Sequence, residues 1–308
     1  MKTKLIILLC FIAAWSLVVP SRVSFGADQE SLRIALESEI KASGAEVGLA
    51  FKDLETGTTV FIREKEMMHA ASTMKVPVMI EIFRQAEKGK FGLDDRLPIR
   101  NEFHSLVDGS PFSLNKEDDS DKDIYALIGR EMSIRELTER MITVSSNFAT
   151  NVLVDLVQAK NVMATLQELG IRRMQVLRGV EDSLAYEKDL NNQTDAYDLM
   201  LVMEAVAGGK ASSKAACQEM IRILRRQTFR NGIPAGVPQD VPVGNKTGSI
   251  TGMEHDAAIV FPPGRKPYVL AVLTRGIRTS EEGEKLIACL SRLIYGEVAG
   301  KYAAQNCR

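Results

Sequence analysis

Three short groups of residues, met in a fixed order along the chain, carry the side chains needed for acyl transfer: Ser72-Thr73-Met74-Lys75, Ser145-Ser146-Asn147 and Lys246-Thr247-Gly248. A serine hydroxyl is a weak nucleophile at neutral pH and needs a base within hydrogen-bond reach. If Ser72 opens a helix, Lys75 lies one turn on, on the same face, where its amine can take the hydroxyl proton. A helix N-terminus also favours negative charge developing beside it. Taken singly, each group fits something ordinary: a solvated helix face, an N-cap, a turn. Order and context set them apart. The first begins an apolar helix, Val76 to Phe83, and the second sits between two amphipathic helices. The third lies in a strand-like segment followed by two more, Asp256 to Phe261 and Tyr268 to Thr274. The chain reads as an enzyme with a serine nucleophile and lysines in place of a histidine.

The flanking patterns say how these groups are carried. An amphipathic helix runs near Gln29 to Ser43. Val47 to Phe51 and Thr59 to Ile62 alternate as strands about a Glu55-Thr56-Gly57 turn. Ser133-Ile134-Arg135-Glu136 is a capping box opening a helix that ends at the second motif. Phe148, Val152, Leu156 and Val157 recur at helical spacing, and Gly170 stops the next helix. Helical patterns follow from Asp195 to Val206 and Ser213 to Gln227, and a last one from Ser280 to Leu293. The two ends, about 27–85 and 235–308, would share one sheet, with a helical part, about 86–234, inserted between them. Clefts at such junctions favour active sites. Pro77 is expected to kink the nucleophile helix slightly. The acidic stretch from Asn101 to Asp123 is expected to be a solvated loop near the cleft entrance.

Composition excludes several functions. The 308-residue chain has a net charge of −1 with dispersed basic residues, against a nucleic-acid partner. His69, His104 and His255 lack metal-ligand spacing, and no Cys-x-x-Cys is present, so neither metal nor cofactor is expected. For His69 and His255, which fall close to motifs, local hydrogen bonding is the expected role. There is no Gly-x-Ser-x-Gly elbow. Lys2 and Lys4 precede an apolar run, Leu5 to Val19, with small residues at Ser24-Phe25-Gly26: a signal peptide over residues 1–26, giving an exported, periplasmic or secreted protein. The run is too short for a comfortable span, so no stable membrane anchor is expected. Of the remaining cysteines Cys217, Cys289 and Cys307, an odd number, a Cys289–Cys307 bridge and reduced thiols both fit.

With these motifs in place, the chain resembles the class A β-lactamases and, more distantly, the penicillin-binding DD-peptidases. The resemblance implies an α/β (α+β) fold of the β-lactamase/transpeptidase type, an antiparallel sheet flanked by helices with an all-helical insertion. It implies a monomer acting on a small β-lactam. Ser72 would be the nucleophile, with Lys75, or Glu187 through a water, as acylation base. Ser145 would relay a proton and Lys246 supply positive potential. Asn147, Thr247, Gly248 and Ser249 would bind substrate, with backbone N–H groups of Ser72 and Ser249 as the oxyanion hole. Glu187 and Asn191 are matched to the Glu-x-x-Leu-Asn pattern of the class A omega loop, which holds the water that frees the enzyme. This loop lacks the proline after its glutamate and the arginine before it, and Ser146 stands where class A has an aspartate that holds its own loop by hydrogen bonds. A DD-peptidase, or a penicilloyl sensor whose acyl-enzyme persists, is the alternative.

Overall fold

The computed structural model describes residues 25–300; residues 1–24 of the expected leader, with Cys10, and Cys307 lie outside them. At the centre is a five-stranded antiparallel sheet. Its strands are β1 (Glu46–Asp53), β2 (Thr59–Ile62), β3 (Val243–Ile250), β4 (Met253–Val260) and β5 (Tyr268–Arg275). Their spatial order is β2-β1-β5-β4-β3. The two ends of the chain meet at the β1–β5 pairing, which runs from Glu46↔Arg275 to Asp53↔Tyr268. The hairpin turn of β1–β2 holds Gly57 at φ 78°, a left-handed conformation that favours glycine.

Both faces of the sheet are covered, which explains why β5 reads as a continuous apolar run. Alternate residues serve alternate cores. Val269, Ala271 and Leu273 join the core beneath the helical part, while Leu270 and Val272 join the one on the opposite face. That second face is closed by α1 (Phe25–Ser43) and α9 (Ser280–Val298), which pack on each other. Leu32 and Leu36, one turn apart on α1, are fully buried there, each worth about 1.5–3 kcal/mol.

Between β2 and β3 run α2 (Lys75–Glu87), α3 (Ile134–Thr143), α4 (Asn147–Val157), α5 (Ala159–Glu168), α6 (Ser183–Glu187), α7 (Ala196–Ala207) and α8 (Lys214–Leu224). The expected capping box of α3 is present, with Ser133 Oγ accepting from Glu136 N at 3.2 Å and Glu136 Oε2 accepting from Ser133 N at 3.1 Å. Asp195 and Ser213 cap α7 and α8, and Gly170 ends α5 at φ 80°. α7 packs across β1, β5 and β4 and fastens the helices to the sheet.

Two local expectations change. Ser72 lies in a 3₁₀ turn, Ala71–Met74, that runs into α2. Pro77 is therefore the third residue of α2, where its missing N–H had no intrahelical partner to lose, so nothing calls for a kink. The acidic stretch is not a freely solvated loop. Asp119 and Asp121 are 3 % and 5 % exposed and carry defined bonds, while Glu117, Asp118 and Asp123 face solvent. Cys289 is disulfide-bonded to a partner outside the described residues, and Cys217 is a buried free thiol.

Candidate active site

The three motifs converge where α2, α4 and the edge strand β3 meet. Lys75 Nζ lies within hydrogen-bond reach of three acceptors of the second motif: Ser145 O at 2.7 Å, Ser145 Oγ at 3.3 Å and Asn147 Oδ1 at 2.9 Å. From the other side Lys246 Nζ reaches Ser145 Oγ at 3.0 Å and Thr247 O at 2.9 Å. The Ser145 hydroxyl is thus bracketed by two fully buried amines. Ser72 is half-buried and lines a cleft of about 360 Å³ with Ser145, Asn147, Thr247 and Ser249. The structure brings Ser72, Lys75, Ser145, Asn147, Lys246, Thr247, Gly248 and Ser249 together.

Burial governs the electrostatics. It lowers Lys75 to about 7, against the opposing pull of the Asp119 and Glu181 carboxylates. Lys246 is held well below its ordinary range by burial and then by the charge of Lys75. A lysine near 7 has a substantial neutral fraction at physiological pH and can accept a proton.

The nucleophile turn is clamped to the sheet. A Cβ on Gly248 would lie 3.0 Å from Ser72 N and 3.1 Å from the Ala71 methyl, so glycine permits this close approach of β3. Ala71 sits at φ 45°, and Ser145 at φ 59°, left-handed conformations costing about 1–2 kcal/mol each for a residue with a side chain. The two nearby histidines hold the first of these in place. His69 Nδ1 accepts from Ala71 N at 3.0 Å. His255 Nδ1 accepts from Thr274 N at 3.1 Å, so its Nε2 carries the proton and donates to His69 O at 2.9 Å. Their expected role in local hydrogen bonding is what the geometry displays.

The omega-loop side departs from expectation. Glu187 is exposed at the end of α6. It lines a second cleft of about 580 Å³ with Ser72 and Asn147 but takes no part in the hydrogen bonds of the lysine cluster. The carboxylate that does is Glu181, exposed like Glu187, whose Oε1 accepts from Asn147 Nδ2 at 3.2 Å. Desolvation, then the Asp118 charge, push the Glu181 carboxyl above its usual range, against Lys75 and Arg178. Its backbone is left-handed too, at φ 60°. Asn191 bonds within the loop itself. It is buried in the loop, its Oδ1 accepting from Arg178 Nη2 at 2.9 Å. Arg178 further donates to Leu190 O at 2.9 Å and Gly179 O at 3.1 Å, so the loop does have an arginine brace, three residues before Glu181. Five residues, Asp182 to Tyr186, lie between Glu181 and Glu187, and α6 with its Asp182 cap occupies them. The Arg178-to-Glu181 spacing, followed by the helix-capping Asp182, is the sequence signal for the carboxylate that hydrogen-bonds to the second motif.

Among the described residues no cluster of three or more His, Cys, Asp or Glu could hold a metal ion, and no helix is long and apolar enough to cross a membrane.

A serine on a 3₁₀ turn thus shares a cleft with a second serine held between two buried lysines, at the edge of an antiparallel sheet. Residues 31–298 match the β-lactamase enzyme family, and the chain belongs to that family. It is 30 % identical to the β-lactamase AST-1 of Nocardia asteroides, over 82 % of this chain and 79 % of that one. It is 28 % identical to the carbapenem-hydrolysing β-lactamase KPC of Klebsiella oxytoca, over 81 % and 83 %. The β-lactamase structure from Sphaerobacter thermophilus superposes with a TM-score of 0.74 at 26 % identity, covering 88 % of this chain and 97 % of that one.

Proposed function

We propose that this enzyme hydrolyses β-lactams through an ester on Ser72. The observation that carries the reading is the Ser145 hydroxyl held between Lys75 and Lys246, 3.3 and 3.0 Å from their Nζ atoms. Neutral Lys75 takes the Ser72 proton, directly or as one end of a path through Glu181 and a water. The freed oxygen attacks the lactam carbonyl, whose oxyanion is received by the N–H groups of Ser72 and Ser249. As the C–N bond breaks, Ser145 gives its proton to the lactam nitrogen and is reprotonated from the flanking amines. Lys246 and Thr247 take the substrate carboxylate, and Asn147 its side-chain amide. Glu181, in place of Glu187, then draws a proton from the water that attacks the ester, releasing Ser72. Asn191 keeps a bracing role through Arg178 rather than a contact with that water. The basic, apolar N-terminal leader supports export to the periplasm or medium.

Intact-mass measurement after mixing with a penicillin tests the reading. The wild type should acquire and clear a single adduct. Glu181→Ala should acquire it and hold it at least about 100-fold longer, the scale for losing a general base, while Glu187→Ala should clear it within about 3-fold of the wild-type time. A wild type that keeps its adduct would favour the sensor reading, and release of D-alanine from a stem peptide the DD-peptidase.

A further inference from the structure

The acidic loop before the second motif has a geometry that this mechanism does not use. The first three residues of α4, Asn147, Phe148 and Ala149, have N–H groups with no partner inside the helix. Ser146 Oγ takes that of Ala149 at 3.2 Å. The other two go to Asp119, with Oδ1 accepting from Asn147 N at 3.0 Å and Oδ2 from Phe148 N at 2.8 Å. Asp119 is itself fixed, accepting from Asp121 N at 2.9 Å and Tyr125 OH at 3.2 Å. Its neighbours grip the same motif from outside. Ser120 Oγ donates to Val144 O at 2.7 Å and Ser145 O at 3.2 Å, and Asp121 pairs with Arg140 of α3 at 2.8 Å.

We infer that Asp119 is a positioning residue: its carboxylate bolts the Asn101–Asp123 loop to the first turn of α4 and holds the second motif in register with Lys75. The need is visible at Ser145, whose left-handed backbone must be stabilised from outside. Asn147 is likewise fixed at both ends, its backbone by Asp119 and its side chain between Lys75 and Glu181. The carboxylate also faces the amine. The charged groups bearing on Lys75 are Asp119, Glu181 and, across Ser145, Lys246, so Asp119 supplies part of the negative potential that keeps this buried amine protonatable.

The inference rests on Ser72 being acylated, and the test keeps the two separable. Lysine labelled with ¹³C at Cε lets Lys75 be titrated by NMR without substrate, alongside the pH profile of labelling by a fluorescent penicillin. Asp119→Asn should lower the Lys75 midpoint by about half a pH unit or more, through loss of a nearby charge, and slow labelling about 10-fold. Asp119→Glu, which keeps the charge, should restore the midpoint. Ser120→Ala, which removes the loop's grip on either side of Ser145 and no charge, should slow labelling with the midpoint unmoved. Equal midpoints in the Asn and Glu variants overturn the inference. So does unchanged labelling by Ser120→Ala, which decides the matter should Asp119→Asn fail to fold. A wild type that takes no label would instead sink the reading of Ser72.

Discussion

The segment from His69 to Lys75 and the loop from Gln175 to Thr194 face each other across one cleft, yet they are held by different means. The first is gripped by regular structure: α2 on one side, β3 packed so close at Gly248 that a side chain there would strike Ser72 N, and His255 of β4 behind. The second has few regular elements. Arg178 binds three acceptors, and Asn192 Oδ1 accepts from Leu177 N at 2.8 Å. The two sides touch where Met68–His69 pairs with Gln193–Thr194, and where Ala70 N donates to Asn192 O at 2.8 Å. The groups proposed for acylation thus stand on the rigid side, the one held by regular structure, and the carboxylate proposed for hydrolysis on the loop. A chain of this design can lose the second step by loop changes that leave the first intact.

The largest expected effect strikes the rigid side. Lys246 is buried and donates to Ser145, so Lys246→Ala should lower acylation by about 2–4 kcal/mol of transition-state stabilisation, the scale for a lost charged contact. Stopped-flow labelling with several carboxylate-bearing lactams measures it. Deacylation of whatever ester forms should change by less than about 3-fold, on the scale of a contact made outside that step. Equal losses in both steps would dissolve the distinction between the two sides.

The same contrast sets what could be read from sequence. Ser72 and Lys75 are three residues apart, Lys246 to Gly248 are contiguous, and helix and strand geometry fixes where such neighbours point. The sheet and most helices are equally legible, since β5 is an apolar run, β4 ends in one and α3 carries its capping box in plain letters. Glu187 and Asn191 are matched by spacing within a loop, where spacing dictates no geometry, and the carboxylate that bonds to Asn147 is Glu181, before the short helix α6. Asp119 was hidden for a related reason. An acidic run reads as solvated, and only tertiary structure reveals which aspartate meets the orphan N–H groups of α4.

A second test asks whether the rigid side carries its own acid sensitivity. Burial lowers His255 to about 4 from an ordinary 6.5. The unfolded chain therefore takes up a proton that the native state refuses, and His255 stabilises the fold less and less as pH falls from about 6.5 to 4. Full loss would be on the order of 3 kcal/mol. Asp256 works against this. Its carboxyl, raised to about 7 by burial, makes the native state less stable as pH rises between 3.8 and 7. The comparison must therefore be a difference: urea unfolding of wild type and His255→Asn at several pH values. The gap between them should shrink as the pH falls through this window. A constant gap would mean His255 does not titrate across it.

The smallest and most selective effect belongs to Arg178. Its guanidinium is the main tie of the loop, spanning Gly179 O, Leu190 O and Asn191 Oδ1, but it donates to none of Ser72, Lys75, Ser145 or Lys246. Arg178→Ala removes three charge-assisted bonds from a loop that also has Asn192 and the Met68–His69 pairing to hold it, so the loop should loosen rather than unfold. Glu181 would then sample positions away from Asn147, and the water it serves would be less often in place. Deacylation should slow about 10-fold, roughly 1.4 kcal/mol, with acylation within about 2-fold of wild type. Arg178→Lys should recover little, because a single ammonium cannot span three acceptors in one plane. Burst kinetics separate the two steps, the burst reporting acylation and the steady state deacylation. An Arg178→Ala enzyme whose burst collapsed along with its turnover would show the loop supporting the nucleophile side as well, and the two regions would have to be treated as one.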